Sequence, residues 1–250
     1  MVPTRRNNKM GYDKRYDGRE FDEVRPITAK AGVVKNADGS AYFRIGGTWA
    51  YAAVYGPREM FPRFQQNPKK GVLRVNYNMM PFSGQGDRVR PGPNRRAKEL
   101  SMVSTKAFQD VVDLSKFPNA AVDVFIELPE TDAGSRCAGI CAASIALADA
   151  GIVMKDMVAA VAVGRVDDQI VVDLSYLEEA TEDGRGAVDI ATAMIPSTGE
   201  FTLLQMDGVI TKDELKEALS KAKDACAKIA QVQRQALHDK YGNQGGDDNE

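Results

Sequence analysis

The sequence has few of the residues on which many enzymes rely for nucleophilic or metal chemistry. It contains one histidine, His238, and three cysteines, Cys137, Cys141 and Cys226. A single histidine in a segment with a helical pattern excludes Ser-His-Asp and Cys-His catalysis and argues against a structural zinc site. Because the cysteines are odd in number and lack CxxC spacing, we expect small, reduced core residues and no disulfides.

Long apolar runs are also absent. No stretch approaches the ~20 apolar residues of a membrane-spanning helix. The basic residues near the N-terminus are not followed by the apolar segment of a secretory signal, so we expect a cytoplasmic protein without a membrane partner. The nucleotide-binding signature GxxxxGKS is missing, and Gly84-Gln85-Gly86 lacks the third glycine of a dinucleotide fingerprint.

The charges are distributed unevenly, although the net charge is only -2. Residues 1–100 hold 20 Lys and Arg against 9 Asp and Glu, whereas residues 101–250 hold 13 against 26. A basic half is typical of a surface that faces a polyanion, and an acidic half of a partner-facing or solvated surface. Mixed charge that only keeps the protein soluble explains the pattern equally well.

The hydrophobic pattern predicts an α+β fold with two similar halves, each a sheet followed by helices. Apolar and polar residues alternate from Arg25 to Tyr55 with glycine turns between, which indicates antiparallel strands. Further strands are predicted over 72–80, 120–128, 158–166, 169–174, 187–195 and 200–204, and helices over 94–112, about 136–150 and 212–241. We expect a mobile basic arm over 1–16, a first half over 17–155, a second half over 156–241 and a disordered tail over 242–250.

An anion site is predicted in the segment DAGSR, Asp132 to Arg136, between a strand and a buried helix. Gly134 permits close approach of the backbone, the free N–H groups of the helix start attract anions, and Ser135 and Arg136 add a hydroxyl and a bidentate guanidinium. An ordinary helix cap made by Asp132 or Ser135 is the alternative, and the segment taken alone favours it.

Two further groups of basic residues also suggest that the protein binds an anion. Arg95 and Arg96 in PGPNRR fall in the first turn of a helix, where cations oppose the helix dipole, so an anionic ligand or simple solvation must explain them. Upstream, Arg63 lies among phenylalanines that include Phe64, a mixture typical of surfaces that bind single-stranded nucleic acid. Those phenylalanines could equally belong to the core.

Acidic residues suggest a catalytic pair. Asp183 and Asp189 flank a glycine-rich link, and Asp189 enters an apolar strand, where an unpaired carboxylate is costly. Two carboxylates beside a phosphate site could hold a divalent cation and protonate a leaving oxygen. A turn with ordinary aspartates is the alternative reading.

Together these segments resemble the RNase PH superfamily, and within it most closely the catalytic RNase PH-like subunits of the archaeal exosome. The resemblance covers nearly the whole chain. It is carried by these segments in order: YDGREFDEVRPI, GSAYFRIGGTWAYAAVYGPRE, VNYNMMPFS, RPGPNRR, DAGSRCAGICAASIALADAGI and LLQMDG. It implies the duplicated sheet-and-helix fold of the RNase PH type, which is ribosomal protein S5 domain 2-like.

The resemblance also implies roles for residues. The family's phosphate site falls on Gly134, Ser135 and Arg136 with Arg96. Its RNA contacts fall on Arg63, Phe64, Arg95 and Arg96, and its catalytic and metal-binding acids on Asp183 and Asp189. The register of Asp183 is the less secure of the two, because the family often has a shorter link here, and Glu182 is its substitute. Phe64 replaces a histidine found in many relatives.

The function implied is phosphate-dependent removal of nucleotides from RNA 3′ ends as nucleoside diphosphates, with 3′ tail addition as the reverse reaction. Inorganic phosphate is the expected co-substrate and Mg²⁺ or Mn²⁺ the expected metal. The expected partners are single-stranded RNA 3′ ends, a non-catalytic homologue in a hexameric ring built as a trimer of heterodimers, and RNA-binding cap proteins. A free-standing tRNA-processing RNase PH and a non-catalytic RNA-binding ring subunit are the alternatives.

Overall fold

The protein is described by a computed structural model over residues 12–86, 88–92, 94–181 and 184–242. These residues form nine β-strands and four α-helices, with two short 3-10 helices at Arg63–Gln65 and Leu114–Lys116. The elements are, in chain order, β1 (Ile27–Ala31), β2 (Gly39–Ile45), β3 (Thr48–Glu59), β4 (Val72–Met79), α1 (Arg95–Gln109), β5 (Ala120–Glu130), α2 (Ser135–Asp149), β6 (Ala159–Val166), β7 (Gln169–Val172), α3 (Tyr176–Glu179), β8 (Ala187–Ile195), β9 (Glu200–Asp207) and α4 (Lys212–Tyr241).

The first five strands form one sheet in the order β1-β2-β3-β5-β4. Gly46 and Gly47 join β2 to β3, and the φ of 56° at Gly46 is the left-handed backbone that two-residue hairpin turns require. All neighbours are antiparallel except β4 and β5, which are parallel. A parallel pair needs a long connection that crosses over the sheet, and α1 lies in that connection.

The second sheet is antiparallel throughout, in the order β7-β6-β8-β9. Helix α2 lies between the sheets, in contact with β2, β3 and β5 on one side and with β6 and β8 on the other. Of its 15 residues 13 are buried, which confirms the prediction of a buried helix. The α+β fold predicted from the pattern is also confirmed, and the start of α2 lies where the two sheets meet.

The predicted mobile arm over 1–16 is wrong for residues 12–16. Arg15 is buried, and its guanidinium donates to both carboxylate oxygens of Glu178 and to the backbone oxygens of Val172 and Asp173. A guanidinium with this many acceptors is fixed in position, because burying it without them would be costly. The local composition is that of a mobile segment. The groups that fix Arg15 lie more than 150 residues away in the sequence, so the local pattern does not reveal them.

Both predicted chain ends extend beyond the described residues. Residues 1–11 of the arm and 243–250 of the tail lie outside them, and Gly242 ends α4. None of the helices within the described ranges is long and apolar enough to cross a bilayer. Cys137, Cys141 and Cys226 are free and buried, as predicted.

Candidate active site

The turn before α2 presents uncapped backbone N–H groups. Ala133 and Gly134 have φ values of 54° and 60°, and no side chain caps the helix at Gly134. The first N–H groups of α2 therefore have no acceptor within the helix and are available to an anion. The Thr48 hydroxyl fixes the turn, since it donates to the Ala133 oxygen at 2.7 Å and accepts from the Asp132 N–H at 2.9 Å.

The alternative of an ordinary helix cap is wrong. The Asp132 carboxylate points away from the helix start, where it accepts from the Tyr176 N–H at 3.0 Å and pairs with Arg25 Nη1 at 3.2 Å. Ser135 is 8% exposed and lines the cleft in front of the turn. The segment therefore has the geometry of an anion site, and phosphate binding by Gly134, Ser135 and Arg136 stays a prediction.

The turn opens into a cleft of about 460 Å³ between the two sheets. Its polar lining comes from α1, α2, α3 and β8, and consists chiefly of Arg96, Ser135, Arg136, Tyr176, Glu179 and Asp189. A second cleft of about 500 Å³ adjoins it and is lined by Arg95, Glu99, Gln205 and Asp207. Three side chains, Arg96, Arg136 and Glu179, line both clefts and so stand between them.

Asp189 is an acid that pairs with Arg136 of the anion site. It lies near the start of β8 with its side chain 16% exposed, and its Oδ2 is 3.7 Å from Arg136 Nη2. Burial, Glu179 and Asp207 together raise its pKa to about 6, against the lowering effect of Arg136 and Arg96. A carboxyl with this pKa is partly protonated close to neutral pH and is suited to proton transfer.

Glu179 is a second acid at the site, and the sequence analysis did not predict it. Asp183 and its substitute Glu182 lie outside the described residues. Glu179 lines the same cleft as Asp189 and is the charged group that raises the Asp189 pKa most. A signal existed: Ser175 and Glu178 have the S-x-x-E spacing of a helix start, so the adjacent Glu179 falls on a different face from Glu178.

The predicted RNA contacts are divided between two places. Arg95 and Arg96 begin α1, with Arg95 in the second cleft and Arg96 in both. Arg63 and Phe64 lie on the 3-10 helix outside both clefts, with the Arg63 side chain and the Phe64 residue each 84% exposed. Because Phe64 is exposed, its alternative assignment to the core is wrong.

The described residues do not by themselves complete a metal site. No group of three or more His, Cys, Asp or Glu side chains among them is arranged to hold an ion. Glu179 and Asp189 are two carboxylates, and the guanidinium groups of Arg96 and Arg136 share their cleft. This donor set favours an anion, so the metal expected at Asp183 and Asp189 stays a prediction and no step below uses it.

The raised pKa of Asp189 has a consequence for stability that is independent of activity. The folded pKa of about 6 lies above the ordinary 3.8, so the folded protein binds the extra proton and its stability falls as pH rises from 4 to beyond 6. We expect Asp189→Asn to stabilise the fold by about 2 to 3 kcal/mol at pH 8 and to have little effect at pH 4. Urea unfolding at both pH values measures this difference.

Asp224→Asn is the matched control for that experiment. Asp224 is an exposed acid in α4, away from the clefts. Its replacement should change the free energy of unfolding by no more than about 0.5 kcal/mol at either pH. A destabilised Asp189→Asn protein at pH 8 would contradict the assigned burial and charge environment of Asp189.

Fold and site together define a class of protein: an α+β enzyme with an anion site at an uncapped helix start, beside two carboxylates in a cleft between two sheets. Residues 23–153 match domain 1, and residues 156–225 match domain 2, of the RNase PH 3′ exoribonuclease family. The chain therefore belongs to this family. The family resemblance noted from the sequence is confirmed.

Several known proteins are similar to this chain over most of their length. The exosome complex component Rrp41 of Methanopyrus kandleri is 50% identical over 228 residues, which cover 91% of this chain and 93% of that protein. The Rrp41 component of Thermococcus kodakarensis is 51% identical over 228 residues, which cover 91% of this chain and 90% of that protein.

Two solved structures share the fold. Rice Rrp46 has a TM-score of 0.78 at 24% identity, covering 90% of this chain and 100% of that one. A chain of the Archaeoglobus fulgidus exosome with RNA bound to the active site has a TM-score of 0.74 at 25% identity, covering 88% of this chain and 92% of that one.

Proposed function

We propose that this chain is the catalytic subunit of an RNA-degrading exosome and removes nucleotides from RNA 3′ ends by phosphorolysis. The observation that carries this proposal is the uncapped start of α2, with Ser135 and Arg136, directly beside Asp189 and its raised pKa. An anion site next to a proton donor is what attack by phosphate on a phosphodiester requires. The similarity to Rrp41 proteins over most of the chain supports the same function.

In the proposed reaction, inorganic phosphate binds to the first N–H groups of α2, the Ser135 hydroxyl and the Arg136 guanidinium. One of its oxygens attacks the last phosphorus of the RNA, and the bond from that phosphorus to the preceding 3′ oxygen breaks. The products are a nucleoside diphosphate and an RNA one nucleotide shorter. Arg96, which lines both clefts, neutralises the charge that develops on the scissile phosphate.

The leaving 3′ oxygen needs a proton, and Asp189 supplies it. Its pKa of about 6 lets the carboxyl hold a proton near neutral pH and release it as the 3′ oxygen departs. Glu179 acts with Asp189, because its negative charge favours the protonated form of Asp189.

The second cleft and the exposed 3-10 helix contact the RNA chain in this proposal. Arg95 lies in the second cleft and meets the backbone phosphates there, while Phe64 stacks on a base further upstream. These contacts carry no base-pair readout, so sequence preference should be weak and binding should weaken as salt rises.

Loss of the Phe64 ring should affect RNA binding and leave the chemical step intact. We expect Phe64→Ala to raise KM for RNA by roughly 5- to 100-fold, the value of one base stacked on an aromatic ring, with kcat little changed. Steady-state kinetics with single-stranded RNA measures both constants. Phe82→Ala is a control, because Phe82 is another exposed phenylalanine, at 72%, outside the predicted RNA contacts. An equal rise in KM for both variants would contradict a specific role of Phe64 in RNA binding.

The assembly we propose is a hexameric ring, a trimer of heterodimers with a non-catalytic homologue, in the cytoplasm and with RNA-binding cap proteins attached. The similarity to exosome components from Methanopyrus kandleri and Archaeoglobus fulgidus supports assembly into an exosome. A free-standing RNase PH would instead form a homo-oligomer when the chain is purified alone. The mass of the complex that copurifies with the chain separates the two.

Degradation of RNA with a labelled 5′ end, with and without phosphate, tests the proposed function. We expect shortening from the 3′ end in steps of one nucleotide, only when phosphate is present, by the chain in complex with its copurifying partners. Shortening at an equal rate without phosphate means hydrolysis, and RNA binding without shortening means a structural subunit. Either result would overturn the proposal.

A further inference from the structure

A buried ion pair connects the N-terminal segment to α3. The side chains of Arg15 and Glu178 are both fully buried, and two hydrogen bonds of 2.9 and 2.8 Å join them, from Nε to Oε1 and from Nη2 to Oε2. The Tyr12 hydroxyl also donates to Glu178, and the Ser175 N–H donates to it at 2.8 Å. Burial alone raises the Glu178 pKa, but the hydrogen bonds from Arg15 and Tyr12 lower it to about 2. Glu178 is therefore ionised at working pH.

This ion pair fixes the position of α3, which is not stable by itself. Helix α3 has only four residues, which is too short to be stable without tertiary contacts. Its last residue is Glu179, the neighbour of Glu178 and the acid that acts on Asp189 in the cleft. Any rotation of α3 would therefore move Glu179 relative to Asp189.

A second arginine of the N-terminal segment, Arg25, fixes the turn that precedes α2. Arg25 makes two hydrogen bonds to the Asp173 carboxylate, at 2.8 and 2.7 Å, and also donates to the backbone oxygen of Asp132 in the turn. The Asp132 carboxylate in turn accepts from the Tyr176 N–H at the start of α3. The segment thus contacts both α3 and the turn that precedes α2.

We infer that the segment Tyr12–Arg25 is an N-terminal clamp that sets the position of Glu179 relative to Asp189 and the phosphate site, with Arg15 and Glu178 as positioning residues. A buried ion pair adds little to stability compared with apolar packing, but its bidentate geometry fixes orientation. The catalytic part of this inference rests on the proposed function. The structural part, the fixed position of α3, does not.

The chain contains a closely matched control for the Glu178 cluster. Asp149 ends α2, at the end opposite to the anion site, and its buried carboxylate also accepts from a cation, a tyrosine hydroxyl and a backbone N–H. The donors are Lys240 at 2.5 Å, Tyr241 at 2.9 Å and Ser40 at 2.9 Å. Comparing Glu178→Gln with Asp149→Asn, and the milder Tyr12→Phe with Tyr241→Phe, separates positioning from general stability.

Two measurements are made on the complex with copurified partners: steady-state phosphorolysis, and hydrogen–deuterium exchange of residues 175–181. We expect Glu178→Gln to lower kcat by about 10- to 100-fold with KM for RNA little changed, because small misplacements of a catalytic group are costly. Tyr12→Phe should show a smaller loss in the same direction. Both should speed exchange in 175–181, whereas the Asp149 and Tyr241 variants should lose stability without either effect.

Equal loss of kcat in the two matched pairs, or unchanged exchange in 175–181 for Glu178→Gln and Tyr12→Phe, would overturn the inference. Absence of phosphorolysis in the unmodified complex is a different result. It removes the proposed function, while the exchange data still decide whether the clamp fixes α3. Tyr12→Phe removes a single hydroxyl, so the comparison stands even where Glu178→Gln does not fold.

Discussion

Asp189→Asn should lower the rate of phosphorolysis by about 100-fold or more, the contribution of a positioned general acid. Asparagine keeps the shape of the side chain but cannot give a proton to the leaving 3′ oxygen. Because the same change is expected to stabilise the fold above pH 6, the loss of rate cannot be attributed to unfolding. Single-turnover measurements with saturating RNA and phosphate isolate the chemical step.

Glu179→Gln is the companion variant. Removing its negative charge leaves Asp189 facing Arg136, Arg96 and Asp207, so the Asp189 pKa should fall toward its ordinary value. We expect a large drop in rate at neutral pH and a shift of the descending limb of log kcat/KM to lower pH. Asp123→Asn, which alters an ion pair with Arg74 on the first sheet away from the clefts, is the control.

Asp183→Asn decides whether Glu179 or Asp183 is the second acid of the site. If Asp183→Asn abolishes phosphorolysis and Glu179→Gln does not, the assignment made from the sequence motif is correct and the one made from the cleft is wrong. We expect the opposite order, because Glu179 is the acid that, among the described residues, shares the cleft with Asp189.

Arg136→Met should lower kcat/KM for phosphate by about 100- to 1000-fold, comparable to the loss of an oxyanion-stabilising donor. The Arg136 guanidinium belongs to the first turn of α2 and pairs with Asp189 at 3.7 Å. Its removal weakens phosphate binding and leaves the charge of the attacking oxygens uncompensated. Varying the phosphate concentration at saturating RNA measures this constant.

Arg234→Met is the control for the phosphate experiment. Arg234 pairs with Asp156 at 3.5 Å, close to the 3.7 Å between Arg136 and Asp189, and lines neither cleft. Its replacement should leave kcat/KM for phosphate nearly unchanged. Similar losses in both variants would mean that surface charge, and not a phosphate site at α2, is responsible.

The sequence predicted the elements whose signal is local. Alternation along β2 and β3, and the all-apolar pattern of α2, reflect burial of one or all faces, and the structure has these elements close to the predicted bounds. The geometry of the turn before α2 was predictable for a related reason. In DAGSR the turn glycine, the helix start and the arginine are adjacent in the chain, so their proximity in space follows from their order.

What the sequence did not reveal depends on distant partners. Helix α3 is one turn long and has no periodicity to read, so Glu179 was overlooked. Arg15 looked like part of a basic arm because Glu178 is 163 residues away. The parallel pairing of β4 with β5 is also a tertiary choice, since each strand alone would fit either direction.

The central claim is that inorganic phosphate, held at the start of α2, becomes part of the released nucleotide. Incubating the purified complex with single-stranded RNA and radiolabelled inorganic phosphate tests it directly. We predict labelled nucleoside diphosphates, with the label in the terminal phosphate, and their absence with Asp189→Asn. Unlabelled nucleoside monophosphates as the only products would contradict the account, because water would then be the attacking group.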